Sequence, residues 1–272
     1  MNARFSIWSQ FYNTAEPEEA ILEFEKDGIS YIELSSEHIE ALLKREGTYA
    51  EIGREFANFC LQKGIKIHQA HLIFPSNIVT DSNVCDSLVN QLEMLDAMGV
   101  RSAVLHLDPM KDAAVSYEEK IERNIEALRG ILSRTEDSGV RICIENLGEI
   151  MRGIDEILCV IEKVGSDRLG VCLDTGHLNL TKTSTQREFI LKADRRLGAL
   201  HIADNEGVSD QHIIPFGRGH IDFFEVAKAL EEVDYDGLFN YEIGGDSGRC
   251  PTPVKHFKYK WVEATYNYIF GK

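Results

Sequence analysis

Asp174 and His177 stand three residues apart in the stretch GVCLDTGHLN, directly after the apolar run Val171, Cys172, Leu173. A carboxylate and an imidazole at the end of a buried strand form a convergent polar pair able to hold a divalent metal. The same residues, Asp-Thr-Gly-His, would equally well start a helix or make a turn. What separates these readings is whether other apolar runs end in the same way. They do: the runs before His71, His106, Glu145, His201 and Glu242 each stop at a residue that can bind a metal. Six such ends around one space would crowd carboxylates that repel unless a cation lies between them. The chemistry indicated is that of a metal-dependent enzyme whose carboxylates can also move protons.

Residues so far apart in sequence converge only if the chain places the ends of many strands around one mouth. Short β-type runs at 5–8, 29–34, 65–70, 102–105, 140–144, 171–173, 197–200 and 237–241 alternate with amphipathic stretches at 17–26, 49–63, 82–98, 116–138, 155–164, 186–193, 223–233 and 254–269. Pro17 opens the first helix, and Gly28, Gly64, Gly99, Gly139 and Gly165 stop helices, as left-handed C-terminal caps do. Strands apolar on both faces, joined through helices, make a parallel sheet covered by helices. Eight such units in 272 residues predict an α/β (β/α)8 TIM barrel, a single domain spanning 1–272. Reaction sites in that architecture lie at the C-terminal ends of the strands, where the six residues sit.

Apolar residues at 43% and charged residues at 27% fit a soluble globular chain with a sizeable core. A formal charge of −16 disfavours nucleic acid as a partner, because phosphate contacts need clustered Lys and Arg. The cysteines (Cys60, Cys85, Cys143, Cys159, Cys172, Cys250) form no CxxC pair, which suits buried small hydrophobes in a reducing compartment. No apolar run reaches 18 residues and no basic leader opens the chain, so the expected location is cytoplasmic, with no membrane partner.

The loops add candidates. The segment DNEGVSDQHIIPFGRG after the seventh strand offers Asp210 and His212 as further metal ligands beside His177, and Arg218 to reach an anionic or hydroxylated substrate group. Trp8 and Phe74, near the ends of strands one and three, could wall a substrate face. His71 is less secure than the other strand ends, since His68 lies close by in IHQAHLIF.

IENL with Glu145, CLDTGH with Asp174 and His177, LHIADN with His201, the following DQH…GRGHIDF, and NYEI with Glu242 together resemble the xylose isomerase-like TIM barrel superfamily, over most of the chain. That group includes sugar epimerases, sugar-phosphate isomerases, inosose dehydratases and endonuclease IV. The resemblance implies one divalent metal (Mn, Zn, Co or Mg) on Glu145, Asp174, His201 and Glu242. Glu145 and Glu242 would also be catalytic, moving protons through a metal-stabilised enediolate of a small sugar, polyol or sugar phosphate. His71, His106, His177, Arg218, Trp8 and Phe74 would then contact substrate. The alternative it implies is an endonuclease IV-like zinc phosphodiesterase acting on abasic DNA, with up to three metals and His71, His106, His177, Asp210 and His212 as additional ligands. Relatives of this kind also imply a homo-oligomer.

Overall fold

A computed structural model describes residues 3–14, 16–148 and 150–272. Its strands are β1 (Arg4–Trp8), β2 (Tyr31–Leu34), β3 (Lys66–His71), β4 (Ser102–Leu105), β5 (Arg141–Glu145), β6 (Leu169–Asp174), β7 (Leu197–His201) and β8 (Leu238–Tyr241). Neighbours pair in parallel from β7 through β6, β5, β4, β3, β2 and β1 to β8. The ring closes between β7 and β8 just past the strand tips: Ile202 N–H donates to Asn240 O at 2.7 Å and Glu242 N–H to Ile202 O at 3.1 Å. This is the (β/α)8 barrel the strand count predicts.

The helices in chain order are α1 (Pro17–Asp27), α2 (Ser36–Leu43), α3 (Tyr49–Gln62), α4 (Ser82–Met98), α5 (Tyr117–Arg134), α6 (Ile154–Val164), α7 (Thr175–Thr181), α8 (Gln186–Ala193), α9 (Phe223–Glu232), α10 (Gly244–Ser247) and α11 (Thr252–Phe270). Three of them, α2, α7 and α10, lie where the sequence reading places no helix. Each begins within three residues of a strand's end, too short to carry a full apolar stripe. In α7 the capping reading and the ligand reading of Asp174 both hold: Oδ1 accepts from His177 N–H at 2.6 Å, while Oδ2 stays buried without a partner.

Alternation along the strands sorts the side chains into two environments. Ile7, Ile32, Leu34, Ala70, Ala103, Leu105, Ile142, Ile144, Val171, Leu173, Leu200, Phe239 and Tyr241 belong to the large core between sheet and helices. The residues between them point into the barrel. Val104, Cys143, Cys172 and Ala199 form a separate small cluster there, and Ser6, Glu33, Gln69 and Asn240 join by hydrogen bonds. Two residues further along, on the same inward side and one layer nearer the mouth, come Trp8, His71, His106, Glu145, Asp174, His201 and Glu242, with Ser35 at the corresponding place after β2. The period of two thus turns a set of strand-end residues into one ring.

Candidate metal centre

Glu145, fully buried at the tip of β5, lies at the middle of the ring. Its Oε2 is 2.8 Å from His106 Nε2, 3.8 Å from His71 Nε2 and 3.2 Å from His201 Nδ1. Its Oε1 is 3.0 Å from His177 Nδ1, yet neither atom has a hydrogen-bond partner, because the two groups are not aligned on each other. Glu242 Oε2 approaches His201 Nδ1 from the other side, also at 3.2 Å. Asp174, His201 and Glu242 each offer a ligand atom within 4.8 Å of the others. Further out, Asp210 joins His177 at 3.3 Å and His212 at 3.1 Å. All nine candidate ligands therefore meet: four overlapping groups share Glu145, His201 and Asp174, and Asp210 joins through His177 and His212.

The ligand atoms are aimed by groups that the sequence reading did not assign. Glu33, on β2 and wholly buried, accepts from His201 Nε2 at 3.0 Å, from Gln69 Nε2 at 3.0 Å and from the Asn240 amide. With Nε2–H committed to Glu33, His201 aims Nδ1 at Glu145 and Glu242, so that its lone pair faces a metal once the proton there is displaced. His71 Nδ1 donates to Leu72 O at 2.7 Å, which points Nε2 inward. His212 Nδ1 donates to the backbone oxygen of Glu242 at 2.9 Å and points Nε2 at Asp210. Asn146 clamps Asp174 by its backbone, accepting from its N–H at 2.7 Å and donating to its oxygen at 3.0 Å. Glu33 stands in ISYIEL one residue before the end of an apolar run, and a buried carboxylate there needs a partner; only the fold shows that the partner is on β7.

The loop carrying Asp210 and His212 is held under strain. His212 has φ +44°, a conformation costing a non-glycine residue about 1–3 kcal/mol. Gly245 N–H bonds to His212 O at 3.1 Å, and a Cβ on Gly245 would overlap the carbonyl oxygen of Gln211. Only glycine lets α10 approach closely enough to fix the loop.

Burial pushes the Asp174 carboxyl up. Burial also raises Glu145, but His201 and His106 beside it outweigh that and hold it well below the usual carboxylate range. Glu242 is held down in the same way by His201 and His212. On the imidazoles burial acts in the opposite sense and is again overcome. Cys172 and the carboxylates of Glu33, Glu242 and Glu145 lift His201 well above its ordinary value; Asp174, Asp210 and Glu145 do so for His177. Glu242, Asp210 and Asp174 bring His212 up to about 10. His71 is pushed down by burial and by its neighbours His106 and His201. The carboxylates thus draw protons onto three imidazoles. A divalent cation would displace those protons, so its affinity should rise with pH. Buried unpartnered Asp174 Oδ2, Glu145 Oε1 and His201 Nδ1, all in one cluster, fit a cation held among them.

A model of the xylose isomerase-like TIM barrel matches residues 23–260. The chain belongs to that family. Among curated relatives of this xylose isomerase-like barrel is "Probable endonuclease 4" of Mycoplasmopsis synoviae (strain 53), 27% identical over 64% of this chain and 66% of the relative, just under two thirds of its length. A D-psicose 3-epimerase of Enterocloster bolteae is 29% identical over 42% of this chain and 37% of its own. Among solved structures, D-psicose 3-epimerase from Clostridium cellulolyticum H10 superposes with a TM-score of 0.80 at 18% identity, covering 98% of this chain and 99% of that one.

Of the remaining candidates, Phe74 is at the site, its ring edge-on to His106 at 5.1 Å. Trp8 sits in the mouth layer beside Gly244. Arg218 is not brought to the cluster; its side chain is 69% exposed and pairs with Glu206 at 3.6 Å. His68 lies away from the cluster against Tyr31, which resolves the ambiguity with His71. Among the described residues, no helix is long and apolar enough to cross a membrane.

Proposed function

We propose that this chain is a divalent-metal-dependent isomerase or epimerase acting on the carbon next to the carbonyl of a ketose-type substrate. The observation that carries the reading is the placement of two carboxylates, Glu145 and Glu242, on either side of His201 Nδ1, each at 3.2 Å. Glu145, Asp174, His201 and Glu242 would hold the metal, which supplies a Lewis acid that polarises the substrate carbonyl and makes its neighbouring C–H more acidic. One glutamate takes the carbon-bound proton and the other returns a proton, inverting the centre when the two act on opposite faces. His106, 2.8 Å from Glu145 Oε2, fixes the orientation of that carboxylate.

A second reading has its own support. His177 and His212 gather on Asp210, apart from His201, while His71 and His106 gather on Glu145, which suits a trinuclear phosphodiesterase as well as substrate contacts. The net charge of −16 weighs against a DNA substrate. Metal analysis of protein reconstituted with zinc or manganese and then desalted separates the two. About one equivalent per chain supports the epimerase scheme. About three, with chelator-sensitive incision of an abasic duplex, replaces it with the phosphodiesterase.

A further inference from the structure

Beside the metal cluster, between the loops after β3, β4 and β5, lies a cavity of about 500 Å³ that opens from His106 and Glu145. This is within the roughly 300–1,000 Å³ of ligand sites, and at about 30 Å³ per water-sized group it holds more than the ring and hydroxyls of one hexose. Its walls are Phe74, Leu107, Met110, Leu147, Ile150 and Met151.

The polar side chains on its lining are mostly committed to the scaffold. Ser76 donates to Ile73 O, and Thr80 Oγ1 donates to Asp108 at 2.8 Å. Asp108 also accepts from the backbone N–H of Val79 and Thr80 on Oδ2 and of Met110 on Oδ1, bonds that tie it to the loops. Among the described lining residues, that leaves the side chains of Asn77 and Lys111, one oxygen of Asp108 with a single bond, and His106 and Glu145 at the metal cluster. A bare sugar in this space would find few side-chain partners for its hydroxyls and would set them against apolar walls. A phosphate there would meet one lysine.

We infer that the substrate of this site is two-part: an α-hydroxycarbonyl head that sits at Glu145 and an uncharged apolar substituent, of aryl or similar size, that fills the cavity. The inference rests on the isomerase or epimerase reading and narrows its substrate class from sugars and sugar phosphates to ketoses carrying an apolar group. Phe74, 56% exposed and edge-on to His106, is the hinge between the halves, offering its ring to the substituent where the polar head ends.

The test uses two probes on the metal-loaded protein, D-fructose and 6-O-benzyl-D-fructose. Binding is read by calorimetry, and exchange of carbon-bound hydrogen is read by NMR in deuterated water. The expected result is at least tenfold tighter binding of the benzyl ketose, a preference that falls to threefold or less in Phe74→Ala and in Leu147→Gln. Phe74 is half-exposed, so its variant should fold even where the Leu147 change does not. Equal or weaker binding of the benzyl ketose, or a preference that survives Phe74→Ala, overturns the two-part substrate. Exchange decides the underlying reaction separately. If the benzyl ketose binds preferentially but neither probe exchanges hydrogen, the cavity assignment stands and the proton-transfer reading falls. If both exchange with no preference, the reverse holds.

Discussion

Glu33→Gln isolates the group that sets the tautomer of His201. In the native protein this buried carboxylate accepts three hydrogen bonds, from His201, Gln69 and Asn240. A glutamine has one acceptor oxygen. If it faces His201 and Gln69, its NH2 group faces the Asn240 amide, donor against donor; if it turns over, it donates to His201 Nε2 and reverses the tautomer. In either orientation a bond to a charged acceptor worth about 1.5–3 kcal/mol is lost and a buried donor is left unpaired at about 1–3 kcal/mol. The fold should lose about 2.5–6 kcal/mol, measurable by urea unfolding of the chelator-treated protein. Metal affinity should fall about 10–100-fold, the usual effect of removing a ligand's hydrogen-bond partner. Competition against a fluorescent zinc chelator, at a temperature where both proteins are folded, reads this directly. A variant that binds metal within twofold of the native protein would refute the idea that Glu33 prepares His201.

Other substitutions probe the remaining parts of the account. Glu145→Gln and Glu242→Gln should each lower turnover of an identified ketose by about 100-fold or more, the usual size of a lost acid–base group, as read by steady-state kinetics at saturating metal. Glu242, Asp210 and Asp174 push His212 up to about 10 in the folded protein, against about 6.5 for a free imidazole. Its raised value stabilises the metal-free protein fully below about pH 6.5, and that stability is lost as pH climbs toward 10. Urea melts at pH 6 and pH 9.5 in chelator should therefore show a larger loss for the native protein than for His212→Gln, and identical pH profiles would contradict the assignment. Gly245→Ala should displace the Gln211–His212 backbone and weaken any metal held on Asp210 and His212, leaving metal at Glu145, Asp174, His201 and Glu242 largely intact by titration.

Much of this centre is legible in the chain because barrel geometry converts sequence order into position. A strand begun two residues late, as in reading 171–173 where β6 runs Leu169–Asp174, still leads to the same ligand, so the errors at strand starts do no harm. Gly170 hides the start of β6, since glycine is a weak strand former; here it fits against Arg141 and Cys143, where a Cβ would crowd both. What the chain does not disclose is the inner layer. Ser6, Glu33, Gln69 and Asn240 are ordinary polar residues in apolar runs until the fold joins β1, β2, β3 and β8 to make them one network under His201. Asn146 is hidden in another way: it follows a ligand in IENL, and its partner is the backbone of Asp174 on the next strand. Arg218 shows the opposite failure. A loop arginine near a site motif was open to a substrate role, but the loop turns it outward to Glu206.

The central claim is that Glu145 and Glu242 move a carbon-bound proton in a metal-dependent reaction. The most direct measurement incubates metal-loaded protein with a panel of ketoses in deuterated water and follows deuterium at the carbon next to the carbonyl by NMR. Incorporation that stops in chelator and in both Glu→Gln variants is the result predicted here. No incorporation into any ketose, together with chelator-sensitive cleavage of a phosphodiester by the same preparation, would contradict it.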